Sequence, residues 1–463
     1  MSSINIVFFF TDDQRFDTIA ALGNSEIKTP HIDRLVGMGT TFRQAHIPSG
    51  TSGAVCMPSR AMLHTGRTLF HLAGEGQSIP ATHITLGESL QAAGYRTFGT
   101  GKWHNGPAAF ARSFSDGDEI FFGGMWDHWN VPACHFDPTG QYNLARNWIA
   151  NPSASNKATP LITDHLTPGK HSSELFSDAS VRFLETYTAD APFFMYISFM
   201  APHDPRSMPE AFLKLYDPDR LTLPANYMDE HPFDLGIRTI RDEVLAPYPR
   251  TPALVRRHLA EYYAMITHLD HEIGRVINAV EARGELDRTI FVFAGDNGLA
   301  VGQHGLFGKQ NHYEHSIRVP LIFAGPGIPK GEQRDTYAYL LDIFPTLCDL
   351  VEIAVPSSVE GQSLLPSIRN NAVVHRDSLY FAYTDTMRSV KDGRYKLIEC
   401  RLATSRSTQL FDLVDDPNEL NNLAADPAQA ARIASLRDQL AVFRDAWEER
   451  QHPMGETFWS HYA

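Results

Sequence analysis

The sequence predicts an α/β fold: a large mixed, mostly parallel central sheet flanked by helices, followed by a smaller C-terminal α+β subdomain built on an antiparallel sheet. Three observations predict it. Nearly all-apolar runs recur at residues 4–10, 192–199 and 289–294, as expected of strands buried on both faces. Segments with apolar residues at helical spacing lie between them, the alternation that builds a parallel sheet with crossover helices. Beyond Leu365 the pattern changes to hairpin signals and one closing helix. The expected division is 1–365 for the α/β domain and 366–463 for the subdomain, and 463 residues suffice for both cores.

In chain order, the first apolar run meets Thr11-Asp12-Asp13-Gln14, the second Ala201-Pro202-His203-Asp204, and the third Gly295-Asp296-Asn297-Gly298. Ligands of open α/β sheets bind beyond the carboxyl ends of the strands, so these three ends predict one shared site. Any one of the pairs by itself also reads as a helix cap or turn. Helices are expected at 31–38 (Ile32, Leu35 and Val36 on one side), at 86–93 behind a Thr85/Glu88 capping box, at 173–187, and at 254–283. The last carries His268 and His271, which read as structural or solvent-facing. Residues 105–168 lose periodicity and fill with Gly, Pro, Asn and aromatics. Their 121–130 stretch, Phe-Phe-Gly-Gly-Met-Trp-Asp-His-Trp-Asn, either stacks on a sugar ring or is a loop pinned by its own aromatics. In the subdomain, 389–398 reads as a hairpin around Asp392-Gly393, 409–413 as a short strand, and 430–449 as a helix.

Forty basic against 54 acidic residues leave a net charge of −14, which argues against nucleic acid or an anionic membrane as partner. The four cysteines are too scattered for a zinc or disulfide pattern. Met1 to Asn5 has no basic segment, the apolar run after it is too short for a signal peptide, and no stretch approaches transmembrane length. The chain as given reads as cytoplasmic, or as a periplasmic or secreted form whose leader was removed.

The chemistry centres on Cys56-Met57-Pro58-Ser59-Arg60. Pro58 suits a first helical turn, Ser59 can serve free backbone donors there, and Cys56 falls at the helix N-terminus, where an oxyanion is favoured. Arg60, four residues on, returns to the same side. A structural cysteine with a surface arginine accounts equally well for that string alone. With Thr65-Gly66-Arg67 after it, however, it resembles the signature of the type I sulfatases, members of the alkaline phosphatase-like superfamily. Gly94 to His104, ending Gly-Lys-Trp-His, resembles the second signature; 302–309 and 411–423 resemble further segments of the same family.

The resemblance implies that a maturation enzyme oxidises Cys56 to formylglycine, whose hydrated aldehyde is the nucleophile and whose second hydroxyl later releases sulfate. It implies metal ligands Asp12, Asp13, Asp296 and Asn297, with the modified Cys56 completing the shell. Such an oxygen-only set suits Ca2+, with Mg2+ as the alternative. Arg60, Lys102, His104, His203 and Lys309 are expected around the sulfate. Asp296 is the expected proton acceptor, His203 the donor to the leaving alcohol, and His104 the base for the second hydroxyl. A sulfated mono- or short oligosaccharide is the expected substrate, with Trp126, His128, His135, Arg206 and His312 as candidates for its pocket. The alternatives are a phosphodiesterase or phosphonate monoester hydrolase of the same superfamily, a catalytically silent carbohydrate-binding relative, and a thiol hydrolase.

Overall fold

The computed structural model describes residues 4–143, 145–149, 151 and 153–462; the terminal Met1–Ser3 segment read above lies outside them. The principal sheet has eight strands, in the spatial order Glu332–Tyr339, Gly39–His46, Leu321–Ala324, Thr289–Gly295, Asn5–Thr11, Phe193–Ser198, Arg96–Lys102, Asp116–Phe121. The five strands from Thr289–Gly295 to Asp116–Phe121 run parallel, and Leu321–Ala324 is antiparallel to both neighbours. Every residue of the three apolar strands is buried. Their alternate side chains serve two cores: Ile6, Phe8 and Phe10 pack on one face with Met62, Leu90 and Phe344, while Val7 and Phe9 pack on the other with Leu35, Phe176 and Leu269.

The helices form where the periodicity placed them: Pro30–Met38, Leu86–Ala92 behind the Thr85/Glu88 capping box, Ser172–Thr186 and the long Pro252–Ala282. The structure corrects the reading of 105–168. Pro107–Ser113 is a helix and Asp116–Phe121 is the edge strand of the principal sheet. An edge strand buries less than its neighbours, so polar residues in Asp-Gly-Asp-Glu-Ile-Phe concealed it.

The C-terminal sheet contains the expected hairpin, Met387–Lys391 with Tyr395–Arg401, and Arg406–Asp412 beside it. The helix Ala430–Ala446 packs Leu436 and Leu440 into the core shared with the principal sheet. A strand at Leu379–Tyr383 and a helix at Pro453–Ser460 were not foreseen. Leu379–Tyr383 pairs in parallel with Ser49–Gly50, just upstream of Cys56. No helix among the described residues is long and apolar enough to cross a membrane.

A buried ion cluster fastens the hairpin to the segment that joins two strands of the principal sheet. Glu314 lies 2.8 Å from Lys391 Nζ and 3.1 Å from Lys396 Nζ, and Lys396 also pairs with Glu419. Burial alone would raise the Glu314 carboxyl; Lys391, Lys396 and His46 outweigh it and hold the group well below the ordinary carboxylate range. Glu314→Gln should therefore lower the melting temperature at neutral pH, since stranding a buried charge costs roughly 3 kcal/mol. A depressed carboxyl contributes its full stability above its unfolded value and loses it progressively as pH falls toward its folded one. The gap between wild type and variant should thus narrow as pH falls below about 4.3 in thermal melts.

Candidate active site

Parallel register sets the site. Thr11 lies beside Gly295, Phe10 beside Ser198, and Ser198 beside Gly101, so Asp12, Asp13, Asp296, Asn297 and Lys102 emerge at one level. Gly101 has φ +87°, and a Cβ there would lie 1.9 Å from the Ser198 carbonyl oxygen, so only glycine lets the strand deliver Lys102. Asp13 also has positive φ, 63°, a conformation that aspartate tolerates better than most residues. It is held there by its amide donating to Asp296 Oδ1 (3.1 Å) and by the Tyr262 hydroxyl donating to its carbonyl (2.6 Å).

Cys56 is the first residue of the helix Cys56–Thr65, and Pro58 lies in the first turn as expected. Its Sγ is 3.5 Å from His104 Nδ1 and 3.6 Å from Lys102 Nζ. Ser59 does not cap the helix. Its hydroxyl donates to the Asp296 carbonyl (2.6 Å), because the first turn abuts the end of the Thr289–Gly295 strand. Arg60 is 1% exposed; its Nε donates to Asp296 Oδ2 (2.9 Å), its Nη1 to Ser198 Oγ (2.5 Å), and its Nη2 lies 3.4 Å from Asp12 Oδ2. Lys102 pairs with Asp12, and Lys309 Nζ donates to Asp13 Oδ1 (2.5 Å). His203 Nε2 is 3.6 Å from Asp13 Oδ2. Ser198 is an orienting residue that the sequence did not single out.

Three buried carboxylates thus face three cations, Arg60, Lys102 and Lys309. Burial would raise Asp12, yet Lys102, His203 and Arg60 hold it below the carboxylate range. Burial and the neighbouring Asp12 push Asp296 up to about 6. Burial lowers His104 well below the usual imidazole value, and Lys102 and Arg60 reinforce it, so the ring is neutral at physiological pH and keeps one nitrogen lone pair free to accept a proton. Burial also raises the Cys56 thiol, which disfavours a thiolate and the thiol-hydrolase alternative.

The residues fit a hard divalent cation. Ligand atoms of Asp12, Asp296 and position 56 converge within 4.8 Å of one another, as do those of Asp12, Asp13 and His203. Among the described residues Asp12 Oδ1 and Asn297 Oδ1 are buried without a hydrogen-bond partner, and a cation would satisfy both. The raised Asp296 carboxyl points the same way, since its charged form lacks a full counter-charge.

The family model of the sulfatases matches residues 4–353, and a model for the C-terminal part of N-sulphoglucosamine sulphohydrolase matches 302–446. The chain belongs to the sulfatase family. An arylsulfatase of Clostridium perfringens is 28% identical, covering 96% of this chain and 95% of its own. An N-acetylglucosamine-6-O-sulfatase of Bacteroides thetaiotaomicron is 25% identical over 98% and 88%. Among solved structures, one in complex with its substrate D-glucosamine-2-N,6-O-disulfate superposes with TM-score 0.78 at 22% identity, covering 98% of this sulfatase and 99% of that chain. A phosphonate monoester hydrolase of Agrobacterium radiobacter superposes with TM-score 0.74 at 21% identity over 96% of both chains.

In this sulfatase a pocket of about 240 Å³ opens on Cys56, His104, His203 and Lys309. The substrate candidates read from sequence do not line it. His128 is fully buried: its Nε2 donates to the His203 carbonyl (2.9 Å) and its Nδ1 shares a hydrogen with Ser172 Oγ (2.7 Å). His312 is buried against Ser389. His135 sits at the outer edge of the sheet with Asp118, and Trp126 packs on Trp148. Arg206 lies against His258 and over the rings of Tyr262 and Phe307. Histidine and tryptophan in an irregular segment carry no signal that separates a pocket wall from a core. The singled-out 121–130 stretch reaches the pocket through Gly124 and Met125, and the lining is completed by residues the sequence left unmarked: Arg241, Asp242, Gln310 and Tyr383.

His128 is thus a positioning residue for the His203 loop. His128→Phe removes the donor to the His203 carbonyl at similar volume. It should lower kcat roughly ten- to hundredfold with a smaller change in KM, measured by steady-state kinetics on an aryl sulfate.

Proposed function

We propose that this sulfatase removes sulfate from a sulfated mono- or short oligosaccharide, using a formylglycine formed from Cys56 and a bound Ca2+, with Mg2+ as the alternative. The observation that carries this reading is position 56 at a helix N-terminus, between Lys102 and His104, at the floor of the pocket. The pocket's size suits one sugar residue with its sulfate. The N-acetylglucosamine-6-O-sulfatase relative and the disulfated glucosamine bound by a structural neighbour support the carbohydrate class.

The site's charges also favour a sulfate monoester. Three carboxylates against three cations are balanced, so a divalent cation leaves two positive charges in excess. One negative charge on the sulfate ester and one on an ionised nucleophile match that excess, whereas a phosphate monoester can carry two by itself. Asp12, Asp13, Asp296 and Asn297 would hold the cation, which supplies there a field that binds sulfate oxygens and favours an ionised hydroxyl.

The chain's own groups do the rest. Arg60 and the helix N-terminus stabilise negative charge at position 56. Asp296 accepts the proton of the attacking hydroxyl. Lys102 and Lys309 hold sulfate oxygens, and His203 protonates the leaving alcohol. His104, neutral and 3.5 Å from Sγ, accepts the proton whose removal lets sulfate depart.

The test is kcat/KM on matched aryl sulfate, aryl phosphodiester and aryl phosphonate, then on sulfated sugars. Sulfates should react fastest; a diester or phosphonate outpacing every sulfate would favour the phosphonate hydrolase alternative. Lys102→Ala should cost at least about 2 kcal/mol in kcat/KM, the scale of one preorganised donor. Chelation should abolish activity and calcium or magnesium should restore it; restoration by zinc alone would contradict the oxygen-only ligand set.

A further inference from the structure

His135, away from the substrate pocket, belongs to a cluster of imidazoles and carboxylates that the chemistry above does not use. The edge strand Asp116–Phe121 and the short antiparallel pair Pro132–Ala133 with His165–Leu166 meet there. Ile120 and Cys134 lock the two together through a pair of backbone hydrogen bonds, each 2.9 Å. Asp118 and Glu119 form a bulge in the edge strand, opposite the single residue Thr100, and Glu119 has φ 50°. A bulge breaks the alternation of faces, so these consecutive carboxylates both reach the cluster.

One ligand atom from each of His135, Asp164 and His165 lies within 4.8 Å of the other two. His165 Nε2 is 2.8 Å from Glu119 Oε2, while its Nδ1 meets Asp164. His135 Nδ1 is 2.8 Å from Asp118 Oδ1, and its Nε2 makes no hydrogen bond among the described residues. Each ring thus has one nitrogen held by a carboxylate of the edge strand and the other left for a ligand. This is how carboxylates orient metal-binding histidines.

The charge around the rings is negative. Arg182 pairs with Asp118, and Arg146 donates to the Asp164 backbone carbonyl rather than to its carboxylate. Asp118, Glu119 and Asp164 therefore exceed the guanidinium paired with them. Burial would lower His165, but its hydrogen bonds to Asp164 and Glu119 outweigh that and raise it, so the cluster already draws positive charge to this point.

We propose that His135, His165 and Asp164 bind a zinc ion, with Asp118 and Glu119 orienting the two rings. Two imidazoles and a carboxylate suit zinc better than calcium, so the site differs in kind from the oxygen-only set at Asp12, Asp13, Asp296 and Asn297. Bonds of about 2.0 Å to nitrogen require the ligands to draw together. The rings are stacked 4.4 Å apart, and the His135 side chain is 69% exposed, with room to turn. The ion would staple 135 to 164–165, in the stretch between pocket-lining Gly124 and Met125 and the helix Ser172–Thr186. The inference is independent of which ester the active site cleaves.

The experiment adds zinc chloride to the full-length, calcium-loaded enzyme in excess calcium. Binding is read by titration calorimetry and by metal analysis after gel filtration. Wild type should take up one zinc per chain with a Kd of about 10 μM or tighter, and zinc should raise its melting temperature. His135→Ala and His165→Ala should each weaken binding about tenfold or more and abolish that rise. Asp118→Asn, which keeps all three ligands, should weaken binding about tenfold. Wild type that takes up no zinc in excess calcium overturns the inference, and so does uptake unchanged in His135→Ala. The wild-type titration decides even if a variant does not fold.

Discussion

Three carboxylates buried at the ends of adjacent parallel strands are the constraint on which the structure turns. Asp12, Asp13 and Asp296 have almost no access to water, and burying such charges unpaired is prohibitively costly. Each is met by a cation from a different element: Lys102 from the strand Arg96–Lys102, two positions along the sheet, Arg60 from the helix begun by Cys56, and Lys309 from the loop after Thr289–Gly295. The same pairs that make burial tolerable bring Cys56, the helix N-terminus and two lysines to one point. Fold stability and catalytic preorganisation therefore share their interactions, and the cation site is where the balance stays incomplete.

The C-terminal sheet is part of this arrangement. Its Leu379–Tyr383 strand pairs with Ser49–Gly50, six residues before Cys56, and ends in Tyr383 at the pocket. The ion cluster around Glu314 ties that sheet to the segment between the Thr289–Gly295 and Leu321–Ala324 strands. The cluster of Asp12, Asp13, Asp296 and Lys102 comes from the strand ends of the principal sheet. Other parts of the pocket lining come from Asp242 in the 218–250 loop region and from Tyr383 of the C-terminal sheet.

Much of this was legible in the sequence, for identifiable reasons. Apolar runs ending in Asp12-Asp13, His203-Asp204 and Asp296-Asn297 are local signals, and parallel pairing necessarily brings such ends together. The helix Leu86–Ala92 was marked by its capping box and Pro252–Ala282 by its period. The edge strand Asp116–Phe121 was hidden by its half-polar composition. Ser59 was misread because its hydroxyl serves a carbonyl 237 positions away, a contact no local pattern encodes. His128 and His312 were taken for pocket residues because a buried histidine and an exposed one look alike in sequence. Asp242 and Tyr383 lie in segments with no catalytic motif, so only the fold reveals that they face the site.

The account depends most on the chemical state of position 56. Peptide mass spectrometry across residues 54–60 of purified enzyme, read against specific activity, addresses it directly. The account predicts an aldehyde or its hydrate in place of the thiol at Cys56, in a fraction that rises in proportion to activity across preparations. Fully active enzyme carrying only unmodified cysteine at position 56 would contradict it.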